Sequence, residues 1–193
     1  MATETEQIVI LGGGLAGLAA GYGLRERDDF TIYEKAGALG GTWRDNSYPG
    51  AEVDIPTGLY SISYIPYKFK KKYAPQSELL EYTNYVIDKF GLRAHTRTSQ
   101  TVTALTFCDD DCLWDIEVAS GEKYTARFVI DASGVLANAH HPYISGAESF
   151  QGAQFHTSRW NHDVSYEGKR VGVGPAGGGT SSTMVPILEA YGM

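Results

Sequence analysis

The sequence contains little cysteine, and it has no long apolar run. Only two of its 193 residues are cysteine, Cys108 and Cys112. This excludes a small secreted fold held together by several disulfides, and two free thiols indicate a reducing compartment. No apolar run approaches the roughly 20 residues that a membrane-spanning helix needs, and the polar start, Met1 to Glu6, does not resemble a signal peptide. We therefore predict a cytoplasmic protein without a membrane segment.

Positive charge is also scarce. Lysine and arginine number 16 against 23 acidic residues, so the formal net charge is −7. This balance argues against non-specific binding to nucleic acid. The basic run Lys68 to Lys72 is interpreted as a solvated face, and no metal site is predicted. With 42% apolar and 20% charged residues, the composition is that of a globular chain.

Residues 7–35 carry the strongest signal in the sequence. The apolar run Ile8 to Leu11 leads into Gly12-Gly13-Gly14-Leu15-Ala16-Gly17, and a small-residue helical pattern follows. A second β-like run, Phe30 to Tyr33, ends at Glu34. This order of strand, glycine turn, helix, strand and acid predicts a dinucleotide-binding βαβ unit.

Each part of this unit has a physical task. Gly12 allows the sharp turn out of the strand, Gly14 lets a pyrophosphate approach the backbone, and Gly17 lets the helix lie close to the strand. The helix N-terminus offers N–H groups and partial positive charge to the phosphates. Glu34 follows Gly12 by 34 − 12 = 22 positions, where an acid can accept hydrogen bonds from a ribose diol. Because a carboxylate repels a 2′-phosphate, Glu34 favours FAD or NAD over NADP.

The rest of the chain alternates irregular and β-like stretches. A long loop is predicted from Asn46 to Ile65, in which Asp54 stands between two apolar residues and is expected to be partly buried. A helix is predicted from Ser77 until Gly91 ends it. Three runs that alternate with period two predict a β-meander over 101–107, 113–118 and 123–130. A new strand is predicted over 168–173, followed by a second glycine cluster, 174–179.

These blocks resemble the N-terminal part of a flavin-dependent monooxygenase of the Baeyer–Villiger type. The resembling blocks are Gly12-x-Gly14-x-x-Gly17, Gly40-Gly41-Thr42-Trp43, Tyr48-Pro49-Gly50-Ala51-x-x-Asp54 and Asp131-Ala132-Ser133-Gly134. The most specific block is Phe150-x-Gly152-x-x-x-His156-x-x-x-Trp160, which resembles the fingerprint of the Baeyer–Villiger group, with Asn161 where Pro or Asp is usual. The resemblance implies that His156 belongs to a linker hinge and is not a proton donor.

The resemblance also implies cofactors and site residues. In that family NADPH reduces FAD, and the reduced flavin uses O₂ to insert one oxygen next to a ketone carbonyl, giving an ester or lactone. The cofactor-binding residues that it implies here, together with those derived above, are Gly12, Gly14, Gly17, Glu34, Lys35, Gly41, Thr42, Trp43, Glu52, Asp54, Tyr60, Val102 and Ala132. Asp54 is also the catalytic candidate, because it would tune an arginine that in the family lies beyond the position of Met193.

The predicted fold class is α/β. A Rossmann-like FAD-binding domain with a β-meander insertion is expected over residues 1–145, and a linker with the fingerprint over 146–167. The incomplete start of an NADP-binding unit is expected over 168–193. Its motif departs from the family pattern, because Pro175 stands in the turn and Pro186 interrupts the helix that would follow.

These departures leave other interpretations open for the chain. One is a non-catalytic flavin-binding remnant, or a subunit of a split enzyme whose second chain supplies the missing domains. Another is an N- or S-oxidising flavin-containing monooxygenase. A flavin reductase of the disulfide type ranks last, because Cys108 and Cys112 lie in an acidic loop of the meander.

Overall fold

The structure is a computed structural model that describes residues 5–135, 137–139 and 141–173. It divides into two compact units. The first unit comprises Met1–Arg44 and Leu80–Ala137, and the second comprises Asp45–Leu79 and Asn138–Met193. The glycine turn and the predicted meander belong to the first unit, whereas the fingerprint belongs to the second.

A six-stranded sheet of order β3-β2-β1-β6-β5-β4 forms the centre of the first unit. Its strands are β1 (Thr5–Leu11), β2 (Phe30–Tyr33), β3 (Thr96–Arg97), β4 (Val102–Cys108), β5 (Leu113–Val118) and β6 (Lys123–Asp131). β1 pairs in parallel with β2 and β6, and β2 pairs in parallel with β3. β5 is antiparallel to both β4 and β6, so the predicted β-meander is confirmed.

The apolar runs form strands because the sheet is buried on both faces at its centre. Val9 and Ile10 are adjacent in β1, their side chains point to opposite faces, and both are fully buried. One face carries a core cluster that includes Val9, Leu11, Tyr33 and Ile116. Ile10 lies on the opposite face, which is the face that helix α1 (Leu15–Gly23) covers.

Helix α3 (Gln76–Lys89) agrees with the predicted helix. Tyr82, Val86 and Ile87 are fully buried in it, at the spacing of one helical face. Besides α1 and α3, the described residues form one further short helix, α2 (Thr42–Asp45), and 3₁₀ turns at Thr57–Leu59, Leu92–His95, Ala147–Ser149 and Thr157–Arg159.

The second unit is held mostly by turns and by backbone hydrogen bonds between loops. Within the predicted loop 46–65, the N–H of Val53 donates to the carbonyl of Ala74 at 3.1 Å, and that of Thr57 donates to Lys72 at 2.8 Å. The Thr57 hydroxyl adds a hydrogen bond to the Lys71 carbonyl at 2.8 Å. The loop is therefore irregular but fixed to the segment before α3.

The strand predicted over 168–173 is wrong for the part that the structure describes, because residues 169–173 have no strand conformation. A strand needs a partner for its backbone groups, and none pairs with these residues among those described. The glycine cluster 174–179, with Pro175, and the helix expected after it lie outside the described residues. In the described ranges, no helix has the length and apolar character required to cross a membrane.

Candidate nucleotide-binding site

Three parallel strands end together at the glycine turn. Leu11, the last residue of β1, is level with Tyr33 at the end of β2 and with Asp131 at the end of β6. The Gly12 N–H donates to the Tyr33 carbonyl at 2.8 Å, and the Ala132 N–H donates to Leu11 at 2.9 Å. The chain leaves β1 between two neighbouring parallel strands, which is the type of crevice where open α/β sheets bind ligands.

The close approaches in this turn require glycine. Gly12 has φ +100°, a left-handed conformation, and a Cβ atom there would lie 2.6 Å from the Ala132 carbonyl oxygen. A Cβ atom at Gly17 would overlap the carbonyl oxygen of Gly12. The first and third glycines of the motif are therefore needed for packing of the turn against β6 and of α1 against β1.

Gly14 differs from these two because the protein leaves space around it. A Cβ atom at Gly14 would meet only the Cα atom of Gly41, at an ordinary 3.6 Å. Gly14 is also the N-cap of α1, and no side chain caps it. The first N–H groups of α1 therefore remain available to an anion.

A second glycine-containing loop, residues 36–41, lies against the first turn. The Gly40 N–H donates to the Gly13 carbonyl at 2.9 Å, and a Cβ atom at Gly41 would be 2.7 Å from Gly14 Cα. The structure thus brings Gly41 to Gly14. Thr42 and Trp43 follow in α2, Thr42 exposed and Trp43 buried.

Glu34 is buried, with 4% of its surface exposed, and its carboxylate faces the glycine turn. Oε2 accepts a hydrogen bond from the Gly13 N–H at 2.7 Å, and Oε1 accepts one from the Ala36 N–H at 2.8 Å. The Arg44 guanidinium lies 3.6 Å from Oε1. A carboxylate has about four acceptor positions, so Glu34 keeps capacity for two further donors, such as the hydroxyls of a ribose.

Sequence reasoning missed Arg44 at this site. Arg44 follows Glu34 by 44 − 34 = 10 positions, across an irregular loop for which no periodic pattern predicts a contact. The only signal was its position directly after the Gly40 to Trp43 block.

A cluster of polar side chains from β1, β2 and β3 supports β2, the strand that ends directly before Glu34. The Tyr33 hydroxyl donates to Glu6 Oε1 at 3.0 Å, and the Arg97 guanidinium donates to that hydroxyl at 3.0 Å. Arg97 also forms an ion pair with Glu6 at 2.8 Å. Burial, followed by the charge of Glu6, raises the pKa of Tyr33. Tyr33 therefore stays neutral and acts as a hydrogen-bonded support.

Lys35, Val102 and Ala132 are the other predicted cofactor residues in the first unit. The Lys35 ammonium donates to the Ala137 carbonyl at 3.1 Å, and Ala132 packs against Gly12 through its backbone. Val102 begins β4 and packs against the core cluster that includes Leu11 and Tyr33.

Glu52, Asp54 and Tyr60 belong to the second unit, and their assignment to a cofactor stays a prediction. The expected partial burial of Asp54 is wrong, because Asp54 is exposed. In this extended segment burial alternates, with Ala51 and Val53 inside and Glu52 and Asp54 outside. Val53 takes the interior position because its backbone N–H is hydrogen-bonded to the Ala74 carbonyl.

The fingerprint residues have local structural partners in the second unit. The Phe150 ring lies over Gly152, where an added Cβ atom would meet the ring at 2.5 Å. His156 caps the turn Thr157–Arg159, since its Nδ1 accepts from the Ser158 N–H at 3.1 Å. Burial, with smaller effects of His141 and Arg159, lowers the His156 pKa, and a neutral ring suits this acceptor role.

Trp160 is the centre of an aromatic cluster. Its ring centroid lies 5.4 Å from that of Phe155, 5.5 Å from that of Tyr166 and 6.4 Å from that of Tyr48. Aromatic pairs at such distances stabilise a fold beyond their buried area. Trp160, the last residue of the fingerprint, therefore packs the segment after Phe150 against the loop that contains Tyr48.

Both cysteines are free and lie at the turn between β4 and β5. The Cys112 thiol is 3.6 Å from the Asp109 carbonyl, and the Cys108 thiol is 4.0 Å from Asp111. No disulfide joins them, and the described residues contain no group of three or more His, Cys, Asp or Glu arranged to hold a metal ion.

Comparison with known proteins agrees with this geometry. The family model of the pyridine nucleotide-disulphide oxidoreductases matches residues 9–184. A Baeyer–Villiger monooxygenase of Streptomyces coelicolor is 37% identical over 190 residues, which are 96% of this chain and 36% of that protein. The crystal structure of cyclohexanone monooxygenase from Rhodococcus bound to NADP+ has a TM-score of 0.87 at 32% identity, covering 97% of this chain and 37% of that one.

A further structure, OTEMO in complex with FAD and NADP, has a TM-score of 0.87 at 30% identity and covers 98% of this chain and 38% of that chain. The chain thus spans little more than a third of the length of the relatives that it matches. The chain belongs to the pyridine nucleotide-disulphide oxidoreductase family. Within that family it corresponds to the N-terminal part of the flavin monooxygenases of the Baeyer–Villiger type.

Proposed function

We propose that this chain is the FAD-binding part of an FAD- and NADPH-dependent monooxygenase that inserts one oxygen of O₂ next to a ketone carbonyl. The observation that carries the proposal is the buried Glu34 carboxylate, bonded to Gly13 of the turn at 2.7 Å and retaining acceptor capacity. Two of the similar proteins support it, because OTEMO forms a complex with FAD and NADP and the Rhodococcus protein is a monooxygenase of cyclohexanone, a ketone.

The residues of the turn fit FAD. The space at Gly14 and the uncapped N-terminus of α1 suit a pyrophosphate, and Glu34 suits the adenosine ribose. When bound, FAD supplies the redox chemistry and the activation of O₂, and the protein orients the cofactor and excludes water. The other residues proposed to contact it are Gly12, Gly17, Lys35, Gly41, Thr42, Trp43, Glu52, Asp54, Tyr60, Val102 and Ala132. Asp54 remains the catalytic candidate.

We place the FAD-binding domain at residues 1–145, the linker at 146–167 and the start of an NADP-binding unit at 168–193. The partners of the whole protein are then NADPH, O₂ and a small ketone, with the remaining domains supplied by further polypeptide or by a second chain. We propose a cytoplasmic location, which the free thiols of Cys108 and Cys112 support.

We expect Glu34→Ala to weaken FAD binding by at least about tenfold. Hydrogen bonds to a charged acceptor contribute roughly 1.5–3 kcal/mol each, and a tenfold loss corresponds to about 1.4 kcal/mol. Isothermal titration of the apoprotein with FAD at fixed salt measures the change. Glu26→Ala, at an exposed acid just after α1, is the matched control and should bind FAD normally. Unchanged affinity in Glu34→Ala would contradict the ribose assignment.

The proposal itself is tested by purifying the 193-residue chain, loading it with FAD and adding NADPH without oxygen. We expect a yellow protein whose flavin is not bleached. In the second turn that the sequence predicts, Pro175 would delete an N–H donor, and Pro186 would disfavour the predicted helix after it by roughly 3 kcal/mol. Failure to bind FAD would refute the proposed function. Low-micromolar NADPH binding by calorimetry, or lactone formation from a cyclic ketone, would refute the prediction for the isolated chain.

A further inference from the structure

We propose that Leu39 is a positioning residue for the Glu34 carboxylate. The Leu39 side chain covers the hydrogen bond between Glu34 and the glycine turn, and this cover keeps the carboxylate in the orientation that accepts the 2′-hydroxyl of an adenosine ribose. The inference deepens the proposed function and rests on it, because it concerns the same nucleotide site.

Three groups meet beside the turn: the Gly13 backbone, the Glu34 carboxylate and the Leu39 side chain. A Cβ atom added at Gly13 would overlap Leu39 Cδ2 and would lie 3.1 Å from Glu34 Oε2. Both atoms therefore lie within 3.1 Å of one position on Gly13. The N–H of this same residue donates to Glu34 Oε2 at 2.7 Å. The tip of Leu39 thus borders the hydrogen bond that joins Glu34 to the turn.

The second position of the turn is glycine because of space and not because of its backbone. Gly12 has a left-handed conformation, whereas Gly13 does not, so the backbone of Gly13 would accept a side chain. The space that such a side chain would need is taken by Leu39. A side chain at position 13 and the tip of Leu39 therefore exclude each other, and in this protein Leu39 occupies the site.

The loop 36–41 holds Leu39 in this place. The N–H of Gly40, the next residue, donates to the Gly13 carbonyl at 2.9 Å. Gly13 is thus hydrogen-bonded through both of its backbone groups, to Glu34 and to Gly40. Leu39 is 6% exposed and Glu34 is 4% exposed. The leucine is therefore buried against the acid and is attached to the turn by the backbone beside it.

The exclusion of water explains how Leu39 acts on Glu34. A hydrogen bond is electrostatically stronger where water is excluded. Water that reached Glu34 Oε2 would compete with the Gly13 N–H and would let the carboxylate rotate. Leu39 excludes this water and, being hydrocarbon, offers no donor or acceptor of its own. The two N–H groups of Gly13 and Ala36 then hold the carboxylate, and its remaining acceptor positions stay directed for the ribose hydroxyls.

The test compares ADP with 2′-deoxy-ADP, which differ only in the hydroxyl that Glu34 is proposed to accept. Calorimetric titration of the apoprotein measures both nucleotides and FAD. We expect the unsubstituted chain to prefer ADP over 2′-deoxy-ADP by about tenfold, as for one hydrogen bond to a charged acceptor. Leu39→Ala should weaken ADP by about tenfold and 2′-deoxy-ADP by much less, so that the preference is largely lost. Leu105→Ala, at a leucine of β4 that is 36% exposed, is the matched control and should keep the preference.

Gly13→Ala is an independent variant, because it displaces the tip of Leu39 without removing the side chain. We expect it to reduce the preference for ADP as well. In the double variant Gly13→Ala with Leu39→Ala, the new methyl group would lie close to the position of Leu39 Cδ2. The double variant should therefore recover part of the preference that Leu39→Ala loses. Leu39→Val, which lacks the Cδ atoms but remains branched, keeps the test decisive if Leu39→Ala folds poorly by circular dichroism.

The ratio of the two affinities separates positioning from a structural role. If Leu39 only stabilised the fold, its replacement would weaken both nucleotides equally and leave their ratio unchanged, and that result would overturn the inference. A double variant without any recovery would overturn it as well. If the unsubstituted chain bound FAD but did not prefer ADP over 2′-deoxy-ADP, the inference alone would fail. If that chain bound no FAD, the proposed function would fail, and this inference with it.

Discussion

Replacing Gly14 with valine should abolish FAD binding and leave the protein folded. Without ligand, a Cβ atom at Gly14 meets only Gly41 Cα at 3.6 Å, and its φ of −82° and ψ of −176° suit any residue. With ligand, the branched side chain would occupy the space proposed for the pyrophosphate. We expect a loss of at least roughly 100-fold in FAD affinity, about 2.7 kcal/mol. Flavin content after purification and titration of the apoprotein measure it.

Gly14→Ser is the companion variant, and we expect it to affect apoprotein stability and FAD affinity in opposite directions. Serine is a strong N-cap residue and should maintain or raise the stability of the apoprotein, since α1 has no side-chain cap. The same side chain would engage N–H groups that the phosphates need, so FAD should still bind more weakly. Normal flavin content in Gly14→Val would exclude this turn as the pyrophosphate site.

Replacing Gly17 with alanine should instead damage the fold. The added methyl group would overlap the Gly12 carbonyl oxygen and lie 3.0 Å from the Gly12 carbonyl carbon. Both atoms are backbone, so α1 would have to move away from β1. Overpacking of this kind costs about 3 kcal/mol, which exceeds the roughly 1 kcal/mol that alanine gains over glycine in a helix. Urea unfolding followed by circular dichroism measures the loss.

The control lies in the same helix. A Cβ atom at Gly23 would meet no heavy atom within 4 Å, so Gly23→Ala should leave stability unchanged or raise it. A Gly17→Ala protein as stable as Gly23→Ala would mean that α1 does not pack on the turn as described. Together with Gly14→Val, the glycine variants separate the position that binds ligand from the one that supports packing.

Much of the first unit could be predicted from the sequence, because its signals are local. The run Phe30–Tyr33 is a strand with the predicted bounds, as is Leu113–Val118. The Gly12 to Gly17 spacing placed the turn between β1 and α1, where the structure has it. Period-two alternation over neighbouring runs was sufficient for the meander, because consecutive antiparallel strands pair through short turns.

Local patterns were insufficient where a backbone contact between distant segments decides the outcome. Because its neighbours in the sequence are apolar, Asp54 was expected to be partly buried. The backbone hydrogen bond between Val53 and Ala74 instead fixes which side of the segment faces inward. The strand expected over 168–173 needed a partner, and none of the described residues supplies one.

The sequence by itself determined five of the six strands of the sheet, all but β3, together with the glycine turn and the acid that follows β2, since each follows from residue type and spacing within one stretch of chain. Only the tertiary structure decided what surrounds them. It placed Ala132 against Gly12, 132 − 12 = 120 positions away along the chain, and brought Arg44 to 3.6 Å from Glu34. The physical reason is that packing and charge act through space, whereas a sequence pattern records only neighbours along the chain.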